Sequence, residues 1–470
     1  MTLVQPSHNL PLAELDRQSF LHPFTPLADH MENGVRVITE GQGVWLKDLD
    51  GQRYLDAAAG LWCVNIGYGR RDVADAIYEQ AKKLAYFHSF SSMGTEPSIR
   101  LADRIKRLAP EGMSKVFFGN SGSDANDTNV KLVWYYNNLR GLPDKVKIIA
   151  RDKGYHGVTV ASASLTGLPL LHKAFHLPIP EVRHTRCPDV YRDKPDGMSE
   201  RDYSKLLAAE LDQLIEREGP ETVGAFIAEP VMGAGGLHVP PEGYFQEVQA
   251  VLKKHDVLMI ADEVICGFGR LGHWFGSFCY GIQPDIVTMA KGLTSGYIPM
   301  SASLISEPIW QVMLEGSREV GPFGHGYTYS AHPVAAAAAM ANLDIIEGER
   351  LVDRARESGV YFQRRMREAF SEHPLVGHVR GEGLMLGVEL VADKATKAPF
   401  DPARKVSARL AQLCLSEGLI IRSLPGGDIS AFSPALTFSR EEADQTVELY
   451  ERALAKLVDW LRVEGLWQGR

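Results

Sequence analysis

The sequence predicts an α/β protein built on a mainly parallel sheet with helices covering both faces. Two observations carry that expectation. Between residues 72 and 305 short β-type runs alternate with longer helical patterns, and the runs are apolar almost throughout, as strands buried on both faces are. From residue 333 onward helical patterns dominate and the β-type runs are few, which marks a separate α+β part.

The opening segment, 1–71, mixes turn residues with short β-like runs such as Gly43-Val44-Trp45-Leu46, followed by a turn at 48–51. It reads as an arm plus a small sheet. Segment 72–332 forms the large domain, with strand candidates at 115–118, 146–150, 223–228, 257–261, 286–289 and 302–305. A helix is expected from Pro333, because proline suits the first helical turn and the alanines after it have high helix propensity. In the remainder of segment 333–470, helical patterns at 351–370, 402–417 and 440–464 flank β-like runs at 384–390 and 419–422. No internal repeat and no long Gly/Ser linker is present.

Composition narrows the function classes. The 470 residues are 45% hydrophobic and 23% charged, which is globular and long enough for two or three domains. A formal net charge of −9 offers no basic field for nucleic acid or an anionic membrane surface, so a small-molecule partner is expected. Five scattered cysteines form no Cys-x-x-Cys pair and read as reduced structural thiols. The first thirty residues lack the basic start and apolar core of a signal peptide, and the longest apolar run, 334–341, is too short to span a bilayer. A cytoplasmic location is expected. His172 and His176 lack a third ligand and read as structural, so no metal is assigned.

Ligands in α/β sheets gather at the carboxyl ends of strands, where four motifs stand. The first is Gly119-Asn120-Ser121-Gly122-Ser123-Asp124, a small-residue turn opening a helical pattern. Free N–H groups and two hydroxyls there make a phosphate site, or simply a capped helix. The second is Tyr155-His156-Gly157, whose aromatic is placed either to stack on a ligand ring or to pack on the core. In the third, an apolar strand ends in Asp262-Glu263-Val264, and alternation sends Asp262 and Val264 to one side and Glu263 to the other. The fourth ends its strand in Ala290-Lys291-Gly292. A lysine is costly to bury unless paired or neutral, and attachment to an aldehyde resolves that cost; a surface strand end is the ordinary alternative. Gly267-x-Gly269-x-x-Gly272 also fits a dinucleotide signature. It is discounted, because acidic residues stand where a pyrophosphate would sit, a poor helix start follows and no ribose-binding acid ends the next strand.

Taken together, the motifs resemble the class III (ω-) aminotransferases of pyridoxal 5′-phosphate (PLP) fold type I, across nearly the whole chain. Asn120 to Asn126, Tyr155-His156-Gly157, Ala228-Glu229-Pro230, Asp262-Glu263-Val264, Gly267-x-Gly269-Arg270, Ala290-Lys291-Gly292 and Thr328-Tyr329-Ser330 stand in the family's order. His22-Pro23-Phe24-Thr25 and Gly60-Leu61-Trp62-Cys63-Val64-Asn65 are most similar to amine:pyruvate and ω-amino acid:pyruvate transaminases. Asp124 and Ala331 depart from the family's commoner glutamate and glycine.

The resemblance implies a large domain with a seven-stranded sheet and a small domain assembled from both ends of the chain. It implies that Lys291 forms the Schiff base with PLP and then shuttles a proton, while Asp262 keeps the pyridine nitrogen protonated. Val264 and Tyr155 would sandwich the ring, Ser121, Gly122 and Ser123 would hold the phosphate, and His156 and Glu229 would join the hydrogen-bond shell. Thr328 would reach the phosphate from a partner subunit, so that a homodimer is the minimal active unit, with a tetramer as the alternative assembly. Phe24, Trp62, Phe90, Tyr155 and Ala234 would line the substrate pocket, and Arg422, before a Pro-Gly-Gly loop in 423–433, would bind the carboxylate of pyruvate. The activity expected is transfer of an amino group from a primary amine or ω-amino acid to pyruvate. Its rivals are an aminomutase or decarboxylase of the same fold, a nicotinamide oxidoreductase and a non-catalytic binding protein.

Overall fold

A computed structural model describes residues 11–467, so the first ten residues of the expected arm lie outside the described part. A small antiparallel sheet opens the chain, with β1 (Ile38–Gln42), β2 (Trp45–Asp48) and β3 (Arg53–Asp56). Seven strands follow: β4 (Met113–Gly119), β5 (Lys147–Arg151), β6 (Val182–Thr185), β7 (Val223–Ala228), β8 (Leu258–Asp262), β9 (Ile286–Met289) and β10 (Ser301–Ser306). They form one sheet in the order β4-β10-β9-β8-β7-β5-β6. Every residue of β7, β8 and β9 is buried, which explains why these runs carry no polar alternation.

The sheet is parallel except at β10, which runs antiparallel between β4 and β9. Only the short turn Lys291–Leu293 interrupts the link from β9, with no helix to carry the chain back across a face. The next strand therefore returns antiparallel. β6 was not among the strand candidates; Val182 is the one apolar residue of Val-Arg-His-Thr, as suits an edge strand.

The carboxy-terminal part supplies β11 (Val376–Glu382), β12 (Met385–Leu390), β13 (Leu419–Ile420), β14 (Arg422–Ser423) and β15 (Ile429–Phe432). β13 pairs parallel with β3, so both ends of the chain share one small sheet. The remaining four strands are ordered β11-β12-β15-β14. Here the structure corrects the expectation of a long loop at 423–433. Arg422 pairs with Ala431 and Ser423 with Ser430, which confines the loop to the residues between the two strands. The buried Ile429, Ala431 and Phe432 explain the pairing, since β15 completes an apolar sheet face.

Helix Pro333–Gly348 is apolar nearly all round and packs against helices Arg71–Lys83 and Glu96–Leu108. Its buried alanines permit close approach, and its burial is the reason no polar face was legible. Arg270 is completely buried; it donates to Asn65 Oδ1 at 2.8 Å and to the carbonyls of Leu384 and Pro434. The glycine-rich segment around it is thus a structural tie between distant parts of the chain.

Gly359 on helix Leu351–Phe370 lies directly against the β11–β12 turn, where an added Cβ would stand 2.3 Å from the Gly383 carbonyl oxygen. Gly359→Ala is expected to lower stability by about 1–3 kcal/mol through overpacking, read as a reduced urea midpoint with an unchanged slope.

Candidate active site

The carboxyl ends of the parallel strands open on one edge of the large sheet, and the motifs converge there. After β4, Ser121 caps helix Gly122–Leu139: its Oγ accepts from Asp124 N, and the Asp124 carboxylate accepts from the N–H groups of Asn120 and Ser121. Aspartate at position 124 therefore completes a capping box as glutamate would. A Cβ at Gly122 would stand 3.1 Å from Val264 Cγ2, so the glycine lets this helix start rest on the strand end below it without pushing Val264 aside.

Asp262 ends β8 with 3% of its surface exposed. Its Oδ2 accepts from Asn126 Nδ2 at 2.9 Å and lies 2.8 Å from His156 Nδ1; its Oδ1 accepts from Val264 N at 3.1 Å. Behind it runs a buried chain in which Asn129 Nδ2 donates to Thr288 Oγ1 at 2.7 Å and Thr288 Oγ1 donates to Asn126 Oδ1 at 2.8 Å. Glu263 points the other way. It accepts from the N–H groups of Gly276 and Ser277 and from the Ser277 hydroxyl, and burial pushes its pKa up to about 7.

Lys291 borders the cleft with its backbone in the left-handed region, at φ +41°. Its Nζ is 5.8 Å from the Trp62 ring centroid, and Arg422 Cζ lies 5.2 Å from the same ring. Burial, and then the positive charge of Arg422, bring the Lys291 amine down to about 8. Glu229 holds the facing wall: its carboxylate accepts from Tyr155 N at 3.1 Å and Gly233 N at 2.8 Å, and burial raises its pKa.

The resulting cleft, about 190 Å³, brings together Gly122, Ser123, Tyr155, His156, Glu229, Asp262, Val264, Lys291, Phe24, Ala234 and Arg422. Ser121 stands exposed at the adjoining helix cap, and Trp62 lies buried against the two cations. Phe90 and Thr328 are not on this wall. Both are exposed on one surface, where Tyr86 donates to the Thr328 carbonyl at 2.7 Å and the Phe90 ring lies against Gly326. Leu61, Gly157, Ile265 and Ala290 also line the cleft, each a chain neighbour of a motif residue. Asn126 escaped notice as a site residue because nothing in the sequence shows its side chain meeting a carboxylate 136 positions away.

Chemically, the cleft combines a helix start suited to an anion, a carboxylate supplied with donors, a flanking aromatic and a lysine whose amine is partly neutral near pH 8. With the seven-stranded sheet, this places the chain among the PLP-dependent enzymes of fold type I. More narrowly, it belongs to the class-III aminotransferases, whose family profile matches residues 27–454. It is 51% identical to the diaminobutyrate–2-oxoglutarate transaminase of Halomonas elongata over 461 residues, 97% of this chain and 98% of that protein. The chloroplastic gamma aminobutyrate transaminase 3 of Solanum lycopersicum is 46% identical over 435 residues, 92% of this chain and 83% of that protein. The crystal structure of the ω-transaminase from Pseudomonas jessenii in complex with PMP is 46% identical with a TM-score of 0.94, covering 96% of this chain and 99% of that one.

The proximity of the two cations to one ring sets a pH-dependent outcome. In the apoenzyme, labelling of Lys291 by an amine-directed reagent is expected to reach half its maximal rate near pH 8. Arg422→Leu removes a charge that disfavours the ammonium form, so the midpoint should move upward, as peptide mass mapping across pH reads directly.

Proposed function

We propose that this aminotransferase moves the amino group of a primary amine or ω-amino acid to pyruvate in a two-stage, ping-pong cycle. The observation that carries the acceptor is Arg422. Apart from Lys291, it is the single Lys or Arg among the described residues lining the cleft, and its guanidinium has no anionic partner among them. One guanidinium matches the one carboxylate of a 2-oxo monoacid, whereas 2-oxoglutarate carries two. The aromatic and aliphatic wall of Phe24, Leu61, Tyr155 and Ile265 favours an apolar or extended donor chain.

The residues fit PLP. Ser121, Gly122 and Ser123 at the helix start would hold the phosphate. Tyr155 and Val264 would flank the ring, Asp262 would hold the proton on its nitrogen, and Lys291 would hold its aldehyde carbon. When bound, the cofactor supplies an electron sink for the pair left as a substrate C–H bond is broken. The Lys291 amine would move the proton at that carbon, a role suited to a buried amine whose pKa is lowered. His156 and Asn126 orient Asp262, Glu229 orients Tyr155, and Arg422 orients the keto acid.

Exposed Tyr86 and Tyr329 meet beside Thr328, with the exposed Phe90 ring against nearby Gly326, an apolar surface of the kind that subunits cover. It supports a homodimer in which Thr328 and Phe90 complete the partner's cleft. The shared sheet of β1 to β3 with β13 supports a small domain built from 1–71 and 333–470 around a large domain, 72–332. No helix among the described residues is long and apolar enough to cross a membrane, and a cytoplasmic location is proposed.

A donor-by-acceptor panel is expected to give alanine from pyruvate, with Arg422→Ala raising the keto-acid KM roughly 10- to 100-fold, as loss of a charge-assisted contact does. Turnover with 2-oxoglutarate alone would sink the pyruvate reading. Borohydride reduction should fix a pyridoxyl adduct on Lys291; its absence would favour a nicotinamide enzyme. Sedimentation of the holoenzyme is expected to show at least twice the chain mass, and a stable active monomer would contradict the shared site.

A further inference from the structure

Away from the cleft, three donor atoms of the amino-terminal arm converge. Asp16 lies on helix Leu12–Ser19, His22 in the segment after it and His30 on helix Leu27–Asn33. The Nε2 atoms of His22 and His30 stand 2.7 and 2.9 Å from the two oxygens of the Asp16 carboxylate, and all the donor atoms lie within 4.8 Å of one another. The imidazole centroids are 4.4 Å apart. A second observation concerns satisfaction rather than proximity. The His30 side chain is only 9% exposed, yet neither its Nε2 nor Asp16 Oδ2 makes a hydrogen bond of proper geometry among the described residues. The two atoms stand 2.9 Å apart as an ion pair with no further partner among the described residues.

We propose that Asp16, His22 and His30 form a binding site for one divalent transition-metal ion of the zinc class. Two imidazole nitrogens and one carboxylate oxygen are ligands such an ion accepts at about 2.0–2.2 Å, with water completing a four-coordinate shell. Tetrahedral coordination at those lengths separates donor atoms by about 3.3 Å, so the present pairs need to open by roughly half an ångström. His22, outside regular secondary structure, has the freedom to do so. Magnesium and calcium demand more oxygen ligands than the cluster holds. A comparable group, Asp212, Glu216 and His255, is already engaged by Lys254 at 2.8 Å from Asp212, which leaves the arm as the better receptor.

The placement gives the ion a consequence. Phe24 lies between the ligands in sequence, at φ +51°, and contributes to the cleft wall. An ion joining Asp16, His22 and His30 closes the helical hairpin around that residue, and so ties the arm that shapes the cleft mouth. The site itself stands whichever keto acid the enzyme uses.

The test is a calorimetric titration of holoenzyme with zinc sulfate, with cobalt chloride as the absorption probe. One saturable equivalent per chain is expected, with four-coordinate cobalt bands and at least about tenfold weaker binding in His22→Gln and His30→Gln. Asp16→Asn provides the same comparison should a histidine variant lose its native circular dichroism. Absence of a saturable site, or unchanged affinity in these variants, overturns the proposal. Binding that survives in them but is lost in His255→Gln assigns zinc to the other cluster and overturns it equally.

Discussion

Asp262 is removed almost wholly from water, and a carboxylate so placed must receive its hydrogen bonds from the protein. Its partners come from three separate parts of the chain: Asn126 on the helix after β4, His156 in the segment after β5, and the backbone of Val264 just beyond β8. Thr288 of β9 extends the network beneath Asn126. Satisfying one carboxylate thus fixes the relative positions of four strand ends. Because β9 is one of them, Lys291 is delivered to the same edge, and because the helix start rests on Val264, the anion-binding turn is delivered too. The cleft is a consequence of that shared burial.

A second constraint is electrostatic. Two cations, Lys291 and Arg422, lie against one buried tryptophan ring in a space that also disfavours charge. Arginine keeps its proton far more strongly than lysine, so the lysine responds to the crowding. Burial and a permanent positive neighbour together leave Lys291 an amine able to give and take a proton near neutrality. Arg422, which lines the cleft, therefore also holds the Lys291 amine down, and pairing it with a bound anion would weaken that effect.

Much of this was legible because the decisive residues punctuate apolar strands. Asp262 ends a wholly apolar run, Lys291 ends one whose single other polar residue is Thr288, and the small-residue turn at Ser121 precedes a helical pattern. Pairings across long sequence distances were not legible: His156 meets Asp262 106 positions away, and Arg270 meets Asn65 at 205. Strand direction was lost at β10, since an apolar run reads alike in either sense. β6 and β15 are short and gain their place from neighbours rather than from pattern. Thr328 and Phe90 are the reverse case: each was placed at the site by resemblance, and in the single chain both lie on open surface.

Arg422 stands on β14, in the sheet formed with β15, β12 and β11, whereas Lys291 and Asp262 belong to the seven-stranded sheet. The cleft is thus walled by residues from two separate sheets. The β14–β15 hairpin nevertheless lies close to the strand ends: Arg422 shares the cleft with Lys291, and a Cβ at Gly426 would stand 2.1 Å from the Gly235 carbonyl oxygen. A change in that hairpin therefore reaches the lysine amine as well as the cleft wall.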